Sequence, residues 1–119
     1  MKIDVITQQS GEPVNVRLHG NITGESAQNI VEDVRHSLYS RALDMEMLCD
    51  MQDVDFIDSS GVGAILTLNK NFEADQGRIV FHSFSPTVSG MIKLLNLGKI
   101  LNVSEDLDSA RKKLVEVSP

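Results

Sequence analysis

Residues 55–65, DFIDSSGVGAI, place two serine hydroxyls directly after a carboxylate and before an apolar stretch. Asp58 has the residue type of a helix N-cap, and the spacing predicts a helix that starts at Ser59 or Ser60. A phosphate on a serine there would meet free N–H groups and the positive end of the helix dipole, so the fold could carry it. It would also add about −1.5 to −2 charges beside Asp55 and Asp58, enough to repel a partner fitted to those carboxylates. The residues by themselves leave two interpretations open, a capped turn and a phosphorylation switch.

Two glycines follow the serines in the first turn of the predicted helix. Gly61 and Gly63 each cost up to ~1 kcal/mol relative to alanine inside a helix. Their presence indicates that another group, in this chain or in a partner, approaches the backbone closely. On the other side of the serines, we expect Phe56 and Ile57 to reach back into the core and hold the approach loop in place.

No other pattern in the chain favours catalysis, phosphate binding or metal binding. The sequence contains no G-x-S-x-G, G-x-x-x-x-G-K or C-x-x-C motif, and its three histidines lie on different predicted elements. Cys49 is the single cysteine and lies in an apolar run, which excludes an internal disulfide and predicts a buried thiol. A nucleophilic Ser59 or Ser60 stays open as an alternative, because triads assemble from distant residues. We therefore predict no catalytic site, no metal site and no cofactor.

The composition is that of a globular protein, with 41% hydrophobic and 24% charged residues among 119. The net charge of −6 and the absence of a basic stripe argue against a nucleic-acid partner. No apolar run approaches the length of a membrane span, and the first residues do not resemble a signal peptide. We predict one cytoplasmic domain over residues 1–119, without a nucleic-acid or membrane partner.

Hydrophobic periodicity predicts the order β-β-α-β-α-β-α-β-α. Strand patterns cover residues 3–7, 13–20, 44–51, 78–84 and 99–103. One continuous helix is expected within residues 22–41, and the four predicted helices have Thr23, Asp58, Ser85 and Ser104 as N-caps. The strand 44–51 carries apolar residues on both faces, which is typical of the centre of a sheet covered by helices. The prediction is an α/β fold with a mixed, mostly parallel sheet of about five strands and about four helices packed on it.

The segment DFIDSSGVGAIL, preceded by a strand and an M-x-D-V lead-in, resembles the STAS domain of bacterial anti-sigma-factor antagonists. The family signature is an aspartate, a serine or threonine, a small residue and Gly-x-Gly after a central strand. The resemblance runs nearly end to end: VRLHGNIT, the central strand, the signature, FHSFSPTVSGMIKLLNLGKIL and a C-terminal helix follow the family order.

This resemblance implies partner switching. Unphosphorylated members of the family bind an anti-sigma factor that is also a serine kinase, and they thereby release its sigma factor. The kinase then phosphorylates the antagonist with ATP and expels it, and a PP2C-type phosphatase resets the cycle. By motif position the phosphoacceptor is Ser59, with Ser60 as the fallback. Such a protein is a substrate and a binding module, not an enzyme.

The expected partner surface is the loop and first helical turn, flanked by the segment that follows the second strand. Its expected residues are Asn21, Thr23, Gly24, Asp55, Asp58, Ser59, Ser60, Gly61, Val62 and Gly63. One position departs from the family pattern: Thr23 stands where many antagonists carry aspartate in a G-x-(L/I)-D stretch. The alternative function is a STAS subunit that regulates a target other than sigma, such as a biofilm or secretion regulator, a stressosome-type scaffold or the ATPase of a transporter.

Overall fold

The computed structural model describes the backbone of residues 1–117 and the side chains of residues 1–115. Within this range the strands are β1 (Lys2–Thr7), β2 (Val14–His19), β3 (Glu46–Asp53), β4 (Arg78–His82) and β5 (Asn102–Ser104). The helices are α1 (Gly24–Gln28), α2 (Ile30–Leu38), α3 (Ser59–Ala74), α4 (Pro86–Leu94) and α5 (Leu107–Val117), with a 3₁₀ turn at Leu97–Lys99. The strands form one sheet in the order β1-β2-β3-β4-β5, antiparallel between β1 and β2 and parallel elsewhere. The predicted mixed α/β sheet and its opening hairpin are confirmed.

The central strand β3 is buried on both faces, as its sequence predicts. Met47, Cys49 and Met51 point to one face, Leu48 points to the other, and all four side chains are fully buried. Burial raises the pKa of the Cys49 thiol well above its usual range, and the nearby Asp50 carboxylate adds to the shift. The thiol is therefore an inert part of the core.

The helices divide unequally between the two faces of the sheet. Residues of α1, α2, α3 and α4 join the larger apolar cluster on one face. On the other face, Leu48 and Val80 pack against Ala110 and Leu114 of α5. The side chain of Val117, which helical spacing assigns to the same seam, lies outside the described residues. The sheet therefore forms the middle of three layers, and its carboxyl-terminal edge stays open at the surface.

The first predicted helix is two helices in the structure. Asn29 leaves the helical region (φ −111°, ψ 16°) and separates α1 from α2. The shorter α1 packs on α3, whereas α2 packs on both β1 and α3. The prediction of one continuous helix was wrong because Ala27 and Ile30 are buried on either side of the break, so the apolar spacing continues across it.

The boundaries around the last strand also differ from the prediction. β5 begins at Asn102, because Leu97–Lys99 forms a 3₁₀ turn instead of entering the sheet. Ser104, the predicted N-cap of the last helix, pairs with His82 at the end of the strand. Asp106 occupies the capping role: its Oδ1 accepts a hydrogen bond from the Ser109 N–H at 2.8 Å. Both residue types can cap a helix, and the pairing of the strands decides between them.

His82 is a buried titratable group at the carboxyl end of β4. It pairs with Asp50 across the sheet, and its Nδ1 lies 2.8 Å from the Ser83 hydroxyl. Desolvation lowers the pKa of His82 below its usual range; the carboxylates of Asp50 and Asp106 oppose this shift, and the Arg17 guanidinium adds to it. The folded protein therefore favours the neutral imidazole.

This shift predicts a pH dependence of stability. The unfolded chain protonates His82 at a higher pH than the folded chain does. The neutral His82 imidazole therefore contributes fully to the free energy of unfolding above the ordinary imidazole pKa, and this contribution decreases as the pH falls below that pKa. We expect an NMR titration midpoint for the His82 ring below the ordinary value of 6.5. We also expect the stability advantage of wild type over His82→Gln to shrink between about pH 7.5 and about pH 5.5. A midpoint at or above the ordinary value would contradict this account.

Candidate functional site

The candidate site lies where β2 and β3 end on the same edge of the sheet. Because the two strands are parallel, the segments that follow them, residues 20–24 and 54–63, emerge side by side. We call these two segments together the edge site. Gly20 has a positive φ of 91°, and its N–H donates to the Asp53 carbonyl at 3.1 Å. A glycine at this position lets the chain turn sharply out of β2 without leaving β3.

Backbone hydrogen bonds hold the two segments of the edge site together beyond the strands. The Ile22 N–H donates to the Phe56 carbonyl at 3.2 Å, and the Asp58 N–H donates to the Ile22 carbonyl at 3.4 Å. Between these bonds, Ile22 and Ile57 form an isolated parallel bridge. The Asn21 side-chain oxygen accepts from the Phe56 N–H at 3.1 Å. The approach loop is thus a short extension of the parallel pairing.

Period-two alternation along this extension places Ile57 and Phe56 on opposite sides. Ile57 is fully buried, as expected, whereas Phe56 is 46% exposed. The expectation that both reach into the core was wrong for Phe56, because the pairing with Ile22 allows only one of two successive side chains to point inward. The exposed ring instead adds an apolar element to the surface.

Asp58 connects the two segments through both oxygens of its carboxylate. Its Oδ1 accepts from the Gly61 N–H at 2.8 Å, which confirms the predicted N-cap of α3. Its Oδ2 accepts from the Gly24 N–H at 3.3 Å, at the first residue of α1. One side chain therefore satisfies amide groups at the starts of two helices.

Ser59 and Ser60 are the first two residues of α3, as predicted, and both are exposed. Among the described residues, the hydroxyls of Ser59 and Ser60 have no hydrogen-bond partner, and their backbone N–H groups have none either. Ser60 also borders a groove of about 400 Å³ between α1 and α3, whose walls include Ala27 and Ala64. Both hydroxyls are available to a partner, and Ser59 lies nearer the open end of the helix.

The two glycines of the first turn have different surroundings. A Cβ on Gly61 would overlap the Ile22 carbonyl oxygen and lie 3.0 Å from the Ile57 Cβ. The close approach predicted for Gly61 is therefore made by a neighbouring element of the same chain. A Cβ on Gly63 would meet nothing within 4 Å, and this residue is exposed. The fold explains Gly61 and leaves the surface over Gly63 open.

Thr23 lies in the other segment, residues 20–24, and is the N-cap of α1, as predicted. Its N–H donates to the Ser26 hydroxyl oxygen at 3.0 Å, and that hydroxyl donates to the Asn21 carbonyl at 2.8 Å. Sequence reasoning missed Ser26, because the capping-box signal is glutamate or glutamine three residues after the cap and this chain has serine there. This network holds the segment without a carboxylate at position 23.

The structure brings all the sequence-predicted site residues to the edge site. They are Asn21, Thr23, Gly24, Asp55, Asp58, Ser59, Ser60, Gly61, Val62 and Gly63. Asp55 and Asn21 are exposed, whereas Val62 is half-buried and packs against the core. The surface is acidic at its centre and carries one exposed aromatic ring.

Features of a catalytic or metal site do not accompany these serines in the part of the chain that is described. No histidine is hydrogen-bonded to Ser59 or Ser60 within residues 1–115, and both ring nitrogens of His19 face the carboxylates of Asp4 and Asp53, at 2.7 and 3.1 Å. Among the same described residues, no group of three or more histidine, cysteine, aspartate or glutamate side chains has an arrangement that could hold a metal ion. Across residues 1–117, no helix is both long and apolar enough to cross a membrane.

Comparison with known proteins gives the family. The family model described as "STAS domain" matches residues 4–110. A curated protein of Lysinibacillus sphaericus, named anti-sigma F factor antagonist, is 25% identical over 97 residues, which cover 82% of this chain and 80% of that protein.

Two solved structures share the fold. The anti-sigma factor antagonist SpoIIAA in its unphosphorylated form aligns with a TM-score of 0.61 at 20% identity, over 98% of this chain and 100% of that one. The Bacillus cell fate determinant SpoIIAA in its phosphorylated form aligns with a TM-score of 0.60 at 23% identity, over 95% and 97% of the two chains. The sheet order, the signature at the start of α3 and the family match lead to one conclusion: this chain belongs to the STAS domain family.

Proposed function

We propose that this protein is an anti-sigma-factor antagonist that works by partner switching, with Ser59 as its phosphoacceptor. The observation that carries the proposal is the exposed Ser59 hydroxyl at the start of a 16-residue helix, with no hydrogen-bond partner among the described residues. The curated relative named anti-sigma F factor antagonist supports the same function.

In the unphosphorylated state, the edge site offers a partner both charge and apolar surface. The approach loop carries Asp55, the half-exposed ring of Phe56 and Asp58 within four residues. Aromatic anchors surrounded by polar groups are typical centres of protein interfaces. This surface suits an anti-sigma factor that presents neutral hydrogen-bond donors around an apolar pocket.

Phosphorylation would change the charge of this surface and leave the fold intact. The kinase forms a bond from the Ser59 Oγ to the γ-phosphorus of ATP while the bond from that phosphorus to the oxygen bridging to the β-phosphate breaks. ADP leaves, and the hydroxyl proton of Ser59 is released to solvent. The free N–H groups of Ser59 and Ser60 and the dipole of α3 favour an anion at this position. The added charge beside Asp55 and Asp58 opposes the partner electrostatically. A PP2C-type phosphatase would hydrolyse the phosphoserine and restore binding.

In this cycle the protein is a substrate and a binding module, not an enzyme. Within the described residues, no histidine is hydrogen-bonded to Ser59 or Ser60 as a general base. This observation supports a binding module over an enzyme with a serine nucleophile. Regulation of sigma factors places the protein in the cytoplasm, and we assign the whole chain, residues 1–119, to one domain. Failure of both serines to react with a fluorophosphonate probe is the expected result.

A second candidate function rests on Thr23. Because this residue replaces an aspartate at the presumed interface, the chain offers one carboxylate fewer than the family pattern does. The same switch would then serve a STAS subunit whose target is not a sigma system. A pull-down separates the two: the first function requires a small kinase of the histidine-kinase-like ATPase fold, and the second does not.

Removal of the Ser59 hydroxyl should abolish phosphorylation. With the kinase recovered by pull-down and ATP, wild type should shift fully in Phos-tag electrophoresis, whereas Ser59→Ala should not shift. Ser60→Ala is the matched control, since it is the exposed neighbour on the same turn, and it should shift like wild type. Normal phosphorylation of Ser59→Ala would contradict the assignment of Ser59 and indicate that Ser60 is the phosphoacceptor.

A negative charge at position 59 should disrupt binding without unfolding the protein. Ser59→Asp should give the circular dichroism spectrum and urea midpoint of wild type, because the start of α3 tolerates an anion. Its affinity for the kinase should fall at least ~10-fold, about 1.4 kcal/mol. The neutral variant Ser59→Asn controls for side-chain size and should keep most of the affinity. Retained affinity in the aspartate variant would exclude charge repulsion as the mechanism.

The two glycines of the first turn should respond to alanine in opposite ways. Gly61→Ala forces a methyl group against the Ile22 backbone, so we expect a loss of at least ~2 kcal/mol in the free energy of unfolding from urea denaturation. Gly63→Ala meets no neighbour and should stabilise the helix by up to ~1 kcal/mol. If the partner covers this turn, Gly63→Ala should nevertheless bind the kinase at least ~10-fold more weakly than wild type. Wild-type affinity of Gly63→Ala would place Gly63 outside the interface.

A further inference from the structure

A second concave surface lies apart from the edge site, between α4 and β5. It is an open groove of about 520 Å³ with an apolar floor of Phe84, Ile92 and Val103. Lys93 and Lys99 also line this groove, which we call the α4 groove. None of its lining residues belongs to the edge site, so the proposed switch leaves this surface unexplained.

Exposed apolar side chains border the α4 groove. Leu94 is 82% exposed, Leu95 is 48% exposed and Ile100 is 60% exposed. They are chain neighbours of the lining residues Lys93, Asn96 and Lys99. Three large hydrophobic side chains within seven residues form the kind of exposed patch that marks an interaction site.

The charge of the α4 groove is opposite in sign to that of the chain. The protein has a net charge of −6, yet two lysines and one carboxylate, Glu105, line the groove. Within the described residues, Lys93 and Lys99 make no ion pair. Their ammonium groups are therefore available to an anionic partner. Two copies of this chain joined groove to groove by a twofold axis would place four lysines and only two glutamates in one interface, and this excess of positive charge disfavours self-association.

We propose that the α4 groove docks an acidic, apolar segment of a partner protein. The floor and the flanking Leu94, Leu95 and Ile100 would receive the apolar side chains, and Lys93 and Lys99 would pair with carboxylates at the rim. Because the groove shares no residue with the edge site, docking there is independent of the charge on Ser59. The protein would thus hold one partner at the groove while it exchanges another at the edge site.

A defined probe tests the proposal without knowledge of the natural partner. The probe is a synthetic helical peptide with leucines at i, i+3, i+4 and i+7 and glutamates beside them. Titrated into ¹⁵N-labelled full chain, it should shift amide signals of α4, the 3₁₀ turn and β5, and added salt should weaken binding. A peptide with lysines in place of the glutamates should bind at least ~10-fold more weakly.

Variants then assign the binding to this surface. Lys93→Glu/Lys99→Glu should lower the affinity for the glutamate peptide at least ~10-fold and raise it for the lysine peptide. Lys70→Glu/Lys112→Glu makes the same change of net charge at exposed positions outside the groove and should bind as wild type does. Leu94→Ser/Leu95→Ser should also weaken binding.

Equal affinity for both peptides, or signal shifts centred on the edge site, would overturn the proposal. Laurate serves as a probe for a fatty-acid ligand. Binding of laurate in the α4 groove without binding of the glutamate peptide would also overturn the proposal. Ser59→Asp should bind the glutamate peptide with wild-type affinity. Because that variant is expected to lose the kinase, failure of the groove proposal and failure of the proposed function give different results.

Discussion

The carboxylate of Asp58 is the interaction on which the edge site depends. It accepts from the Gly61 N–H and from the Gly24 N–H, at 2.8 and 3.3 Å, and so joins the starts of α3 and α1. A capping hydrogen bond contributes roughly 1 kcal/mol on its own. Here it also orients the first turn that carries Ser59, so one side chain couples local helix stability to the shape of the edge site.

That arrangement requires the two segments of the edge site to lie against each other, and Gly61 makes this possible. Its missing Cβ leaves room for the Ile22 carbonyl, which in turn accepts from the Asp58 N–H at 3.4 Å. On the opposite side of the loop, Ser85 caps α4 and its hydroxyl donates to the Val54 carbonyl at 3.0 Å. Hydrogen bonds to the Ile22 carbonyl and from the Ser85 hydroxyl thus hold the approach loop in place. The exposed serines at the start of α3 therefore lie on a support that hydrogen bonds hold in place.

The division of the surface follows from the same architecture. The carboxyl ends of the parallel strands bring the acidic edge site together, whereas α4 and the 3₁₀ turn after it present leucines and lysines elsewhere. A small domain with an acidic and a basic surface can distinguish partners by electrostatics.

Much of the fold and of the site could be predicted from the sequence because the deciding signals are local. The element order follows from apolar periodicity, the two-sided burial of β3 from its continuous apolar run, and the start of α3 from an aspartate before two serines and a glycine.

The sequence could not predict the outward position of Phe56, the break at Asn29 or the inclusion of Ser104 in β5. Each of these depends on pairing or packing between residues far apart in the chain. The second hydrogen bond of Asp58 is of the same kind, since Gly24 lies 34 positions away. The sequence by itself therefore determined which residues could form the switch, and only the tertiary structure decided how they are joined, because local propensity acts within a turn whereas the contacts between turns are set by the sheet.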